Sequence, residues 1–188
     1  KVIVGCLPAA VIGLAFNDKI DALFYNAPTV AFTLILYGIL FIIVENYNKH
    51  REPQVGELSD LTYKIAVIIG CFQVLALIPG TSRSGSTIIG SLFLGVSRKA
   101  AAEFSFFLGI PVLMGAGLLD MYKMRHELHS NDMAVLAVGI VVAFISALIV
   151  IRALIRYVSK HDFTAFAYYR IVFGLLILAT WWTGWVHW

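Results

Sequence analysis

The sequence predicts an all-α fold, a polytopic membrane helix bundle that includes a re-entrant helix-loop-helix. Three observations predict it. Of 188 residues, 60% are hydrophobic and 13% charged, with a mean hydropathy of +0.87, whereas a soluble globular domain carries about 25% charged residues. Apolar runs recur near the ~20 residues that a helix rising about 1.5 Å per residue needs to cross a hydrocarbon core of about 30 Å. Between two runs too short to cross alone, IAVIIGCFQVLAL and IIGSLFLGV, stands the polar stretch IPGTSRSGST at residues 78–87.

The chain reads as one integral membrane domain over residues 1–188. The first apolar run extends from Val2 to about Phe16. It is short for a span, and with Lys1 in place of a starting Met and no signal-peptide layout, the chain is expected to be a fragment lacking upstream residues. A second span covers about Thr29 to Val44, followed by a polar link from Glu45 to Leu61 that Pro53 and Gly56 break. Tyr63 to Leu77 and Ser86 to Val96 flank the polar stretch, so a membrane segment is interrupted there. Ser97 is placed to cap a helix over Ala100 to Leu119, with Pro111 expected to kink it, and Asp120 to Asp132 forms a charged loop. Met133 to Ile155 is a clean span, and Phe163 to Trp185 is the last, with Trp181, Trp182, Trp185 and Trp188 suited to a headgroup layer. Small residues four apart, at Gly139, Ala143 and Ala147 and at Ala66 and Gly70, predict helix packing faces.

The net charge of +3 is modest, and the basic residues sit in short connections between apolar runs and form no single patch, so a nucleic-acid role has no support. Cys6 and Cys71 fall in apolar runs without metal-ligand spacing and read as buried thiols. Lys and Arg counts in alternate loops give no orientation while the broken segment leaves the number of crossings open.

Irregular backbone at membrane depth is tolerated only where protein or a water-filled cavity satisfies its polar groups. The break at residues 78–87 therefore predicts a polar pocket. Pro79 ends the incoming helix, Gly80 and Gly85 permit tight backbone geometry, and Ser84 or Ser86 can cap the outgoing helix, whose N-terminal amides favour an anion. Arg83 adds a permanently charged fork suited to two phosphate oxygens, and the hydroxyls of Ser82, Ser84 and Thr87 can hold others. Phosphate or pyrophosphate is the natural ligand. On residues alone, a second reading stays open: an ordinary interface turn with Arg83 snorkelling to headgroups. Six polar side chains in one break favour the anion site.

Elsewhere the residues favour plainer roles. Glu103 follows Lys99 by one turn and reads as its i,i+4 partner, or as a carboxylate facing the pocket. Gln73 reads as an interhelical hydrogen bond, and Arg170, near Tyr168 and Tyr169, as a snorkelling side chain. His50, His126, His129, His161 and His187 lie in loops or at the chain end and read as solvated. No nucleophile or general base stands out.

The run PGTSRSGST, with GCFQVLALIPG before it and GVSRKAAAEFSFFLGIP after it, closely resembles the undecaprenyl-diphosphate phosphatase family of bacterial membrane enzymes linked to bacitracin resistance. A DxTYK element at Asp60–Lys64 and an AxYR element at Ala167–Arg170 extend the resemblance over nearly the whole chain. It implies hydrolysis of undecaprenyl diphosphate to the monophosphate, recycling a lipid carrier, in a multi-pass protein of the bacterial plasma membrane whose pocket opens to the outer face. It also implies two inverted repeats, each with a re-entrant helix pair, of which the stretch at 78–87 belongs to the second. Arg83, as the group neutralising phosphate charge, and Ser82 are then the candidate catalytic residues. Gly80, Thr81, Ser84, Gly85, Ser86, Thr87 and Glu103 are candidate substrate-binding residues. A divalent cation, Mg2+ or Ca2+, is implied, with no ligands assignable in this sequence. The family's first motif, a glutamate-rich helix before a Ser-Ser-Thr-Gly-His loop, does not occur in the 188 residues, so this chain is expected to be inactive alone. Its expected partners are the bilayer, a polyprenyl diphosphate lipid, an N-terminal half or another chain supplying it, and a second copy in a homodimer. A transporter or flippase for a phosphorylated lipid is the competing class, because broken helices aimed at an anion also build transporters. A noncatalytic scaffold would leave the clustered polar residues without a role.

Overall fold

The computed structural model describes residues 1–125 and 130–184, apart from the side chains of 17–19, 21 and 130–132. It is helical with no strand among the described residues. The helices are α1 (Val2–Phe24), α2 (Ala27–Asn48), α3 (Tyr63–Val74), α4 (Arg83–Phe93), α5 (Arg98–Lys123), α6 (Ser130–Val158) and α7 (Thr164–Thr183). Side-chain caps start α2, α3 and α5 among others: Asn26 Oδ1 accepts from Thr29 N at 2.9 Å, Thr62 Oγ1 from Ile65 N at 3.3 Å, and Ser97 Oγ from Ala100 N at 3.2 Å. Helices α2, α5, α7 and the Met133–Val158 part of α6 are long and apolar enough to cross a membrane. Several helices outrun their apolar cores: α1 reaches Phe24, α2 passes through Glu45 to Asn48, and α5 runs through Pro111 to Lys123, inside the expected charged loop. Hydropathy locates the buried part of a helix, whereas its ends are set by caps and polar partners. His126, His129, Trp185, His187 and Trp188 lie outside the described residues; Trp181 and Trp182 are exposed as expected.

Without a hydrophobic drive in lipid, close packing needs small residues. Helices α2 and α7 supply them: a Cβ on Gly38 would lie 2.9 Å from Ala167 O, and one on Gly174 would lie 2.8 Å from Ala31 O. Gly70 of α3 rests on the backbone of Gly5 in α1, so the Ala66 and Gly70 face is a packing face. The Gly139, Ala143 and Ala147 face is not packed on any described residue: all three are exposed, and no described atom lies within 4 Å of a Cβ built on Gly139. Its spacing matches a packing stripe, but spacing does not determine what stands opposite. Cys71, read as buried, is exposed, while Cys6 is buried with Sγ 3.6 Å from Leu108 O.

One end of the bundle is tied by polar contacts. The buried Glu45 carboxylate accepts from Arg98 Nε at 2.9 Å and from Phe163 N at 3.0 Å, joining the end of α2 to the starts of α5 and α7. Beside it, Gln54 N donates to Gly95 O at 2.8 Å and Ser97 N to Val55 O at 2.9 Å, while Lys99 Nζ stands 3.3 Å from Glu57. The link at residues 49–61, the α4–α5 turn and the α6–α7 turn therefore share one face. Lys1 joins them, donating to Ser59 O at 2.9 Å. Helices α1, α5 and α7 start at that face, α2 and α6 end at it, and α3 and α4 leave and return to it.

Glu45→Ala leaves the Arg98 guanidinium and the Phe163 N–H without their acceptor. Arg98 is 39% exposed, so the loss falls below that of a fully buried pair, at about 2 kcal/mol. Thermal unfolding in detergent should show it as a lowered midpoint.

Candidate functional site

Helix α3 and the 3-10 turn at Leu75–Leu77 together rise about 24 Å over their 12 and 3 residues. That is less than the ~30 Å of a hydrocarbon core. The chain turns at Pro79–Gly80 and returns along α4, which packs antiparallel on α3, where Ser86 Oγ donates to Phe72 O and Phe72 fills the space beside Gly90. This is the expected re-entrant pair.

The carbonyls of the tip are satisfied from outside the hairpin. Pro79 O accepts from Thr33 Oγ1 of α2 at 2.8 Å, and Gly80 O and Thr81 O both accept from Arg170 Nη2 of α7, at 2.8 and 2.9 Å. Gly80 has φ +84° and a Cβ there would lie 2.7 Å from Val30 O, so both conformation and space require glycine. Ser82 has φ 66° and ψ 116°, an unusual backbone for a residue with a side chain. It, and not Ser84 or Ser86, caps α4, with Oγ accepting from Gly85 N at 3.2 Å and lying 3.3 Å from Ser84 Oγ. Gly85 therefore lies within the first turn of α4 and not in the loop. The first helical bond is Ser86 N to Ser82 O at 3.0 Å, and the N–H groups of Ser82, Arg83 and Ser84 have no acceptor among the described residues.

Arg83 is half-buried along α5. Its Nη1 donates to Ser105 O at 3.3 Å, and a Cβ on Gly109 would lie 3.0 Å from its Cζ, so a glycine makes room for the guanidinium. Neither Arg83 nor Arg170 meets a carboxylate among the described residues. Three free amides, an uncompensated guanidinium and the hydroxyls of the exposed Ser82 and half-buried Ser84 thus gather at one helix N-terminus. Their chemistry is that of an anion site, where a fixed dipole and a charged fork neutralise an oxyanion without rearranging.

The other candidates are placed differently. Ser86 and Thr87 are fully buried and turned into the protein: Ser86 bonds Phe72 O, and Thr87 Oγ1 lies 2.7 Å from Ser105 Oγ. Thr81 is fully buried with its hydroxyl unpartnered. Glu103 precedes Ser105 by two residues on α5, which turns it about 200° away from the Arg83 side, and it makes no ion pair among the described residues. Lys99, its expected i,i+4 partner, pairs with Glu57. Gln73 is buried with both amide atoms unpartnered, so the expected interhelical bond is not made. His161 stacks on Tyr157 at 4.5 Å, far from the tip in sequence and at the tied face. Among the described residues no three His, Cys, Asp or Glu side chains cluster. The described residues therefore do not by themselves fit a divalent-cation site.

Sequence reasoning missed Thr33, Ser105, Gly109 and the job of Arg170. The signal for Arg170 was there: Ala167, Arg170 and Gly174 share one face of α7, so an ionisable residue lies on the stripe that packs against α2, where snorkelling is not available.

Ser82→Ala removes the cap and keeps the strained backbone, whereas Ser82→Gly removes the cap and relieves the strain. The glycine variant should be the more stable by about 1–2 kcal/mol, read as unfolding midpoints of the two proteins in detergent.

The profile of the bacitracin resistance protein BacA family matches residues 1–176. The chain is similar to undecaprenyl-diphosphatase 1 of Clostridium acetobutylicum, 50% identical over 179 residues that are 95% of this chain and 65% of the relative. It is also similar to the undecaprenyl-diphosphatase of Enterococcus faecalis, 52% identical over 184 residues (96% and 67%), and to that of Acetivibrio thermocellus, 52% identical over 178 residues (95% and 65%). It spans about two thirds of the length of these relatives. With its membrane-length helices and its polar tip between α3 and α4, the chain belongs to the bacitracin resistance protein BacA family.

Proposed function

We propose that this chain carries the headgroup-binding tip of an undecaprenyl-diphosphate phosphatase of the bacterial plasma membrane, a hydrolase that returns the lipid carrier of peptidoglycan synthesis to its monophosphate. One observation carries the reading: the free amides of α4 and the unpaired Arg83 converge at the end of a broken helix, in a chain whose relatives bear that enzyme's name. Hydrolysis of a diphosphate needs charge neutralisation at the attacked phosphorus and a positioned attacking group. Arg83 supplies the first, with Nη1 anchored on Ser105 O and its remaining donors free for phosphate oxygens. The amides of Ser82, Arg83 and Ser84 add fixed dipoles, and the Ser82 and Ser84 hydroxyls orient the headgroup.

Sidedness follows from the sorted connections. Lys1, Lys49, Arg51, Lys64, Arg98, Lys99, Arg156 and Lys160 lie at or near the tied face, against Lys19, Lys123 and Arg125 toward the other. Cytoplasmic loops carry the excess of Lys and Arg, so the tied face is cytoplasmic. Because α4 runs from the tip back to that face, its N-terminal amides point toward the outer leaflet, where a spent diphosphate carrier is left. Single cysteines at Lys160 and Lys123 should be labelled by impermeant maleimide from the cytoplasmic and outer sides, respectively; the reverse pattern overturns the orientation.

Arg83→Ala should abolish phosphate release from undecaprenyl diphosphate by the full-length protein in detergent, with expression and unfolding midpoint unchanged. Arg83→Lys should lose most of the activity, because a point charge lacks the bidentate fork. Wild-type turnover by Arg83→Ala rejects the assignment, and lipid movement across vesicles without phosphate release favours the transporter class.

A further inference from the structure

We propose that Arg170 is a positioning residue for the anion site, acting on it through the peptide groups of the tip. This rests on the reading of the tip as an anion site. Arg170 lies on α7, on the opposite side of the turn from the amides that would meet the ligand, and a single nitrogen, Nη2, donates to the carbonyls of both Gly80 and Thr81 at 2.8 and 2.9 Å. In a trans peptide the C=O and the N–H point in opposite directions. Fixing Thr81 O toward α7 therefore fixes the Ser82 N–H away from it, toward the open side of the tip where Ser82 Oγ and Ser84 Oγ stand. The same contact holds the chain in the turn that gives Ser82 its φ of 66°, a conformation that persists only where its surroundings determine it.

Arg170 also sets the charge of the tip. Its guanidinium lies 5.9 Å from the Tyr37 ring, its Nε is buried without a partner, and no carboxylate among the described residues pairs with it. Arg83 is equally without one. Two uncompensated cations then serve one turn, one facing the ligand and one behind the carbonyls, where its field polarises the peptide units and strengthens their N–H groups as donors. A site of that charge favours an anion of at least two negative charges, a diphosphate over a monoanionic headgroup.

The requirement for a single donor nitrogen separates Arg170 from Arg83. A lysine ammonium brought to the Nη2 position can donate to both carbonyls and keeps the charge; methionine keeps an unbranched apolar stem and loses both. The test is binding of inorganic pyrophosphate to the full-length protein in detergent, by calorimetry, for the wild type, Arg170→Lys and Arg170→Met. The dissociation constant of Arg170→Met should rise ~10-fold or more and that of Arg170→Lys stay within about 3-fold of wild type, at unfolding midpoints close to wild type. Binding by Arg170→Met within twofold of wild type overturns the proposal, as do equal losses in the Lys and Met variants, the mark of a merely structural role. Should Arg170→Met fail to fold, Arg170→Gln, which drops the charge and shortens the reach to Gly80 O and Thr81 O, should weaken pyrophosphate binding by about 3-fold or more; unchanged binding there also overturns it. Absence of pyrophosphate binding by the wild type removes the anion site and this proposal together, whereas absence of phosphate release from the lipid by a wild type that binds pyrophosphate removes only the phosphatase reading.

Discussion

A helix that stops inside a bilayer exposes carbonyls to a medium that offers them no donor, and the arrangement of this molecule follows from how those carbonyls are met. Thr33 and Arg170 reach the tip from α2 and α7, so both helices must stand beside the hairpin and must stand close to each other. Gly38 and Gly174 make that closeness sterically possible. Gly80 lets the turn press against α2 with no side chain between. The tip's carbonyls face inward to protein, and its amides are left for whatever approaches from the other side.

The same turn concentrates positive charge that no described residue neutralises. Glu45 and Glu57 each hold a cation at the tied face, yet among the described residues Arg83 and Arg170 have no acid for a partner. A half-buried guanidinium without a counter-ion is unfavourable in a low dielectric. An anion bound at the tip would relieve it, and the stability of the tip would then depend on occupancy.

Composition, run length and the Pro-Gly break made the membrane bundle and its re-entrant pair legible, because burial in lipid leaves a signal in every residue along a span. The polar residues of 78–87 stood out for the opposite reason, as hydroxyls and a guanidinium set between two apolar runs. Their individual roles were not. Ser86 and Thr87 look like ligand hydroxyls in a string of serines, but helical phase turns them onto Phe72 and Ser105, and a string does not show where the helix begins. Ser82 was expected in the loop, and its cap depends on a backbone angle that sequence does not reveal. Glu45 looked like the start of a polar link and is instead the acceptor for groups distant in the chain, Arg98 and Phe163. Arg170 looked like a snorkelling residue because the partner carbonyls lie far away in sequence.

The Glu45 junction has a mechanical side. It grips α7 at Phe163, seven residues before Arg170, and so acts as a pivot with a lever arm of about 10 Å. A tilt of α7 by ~10° about that pivot would swing the guanidinium by about 2 Å, more than a hydrogen bond tolerates. Leverage of this kind makes the geometry of the tip answerable to the angle at which one helix stands in the bilayer, and so to the thickness of the lipid around it.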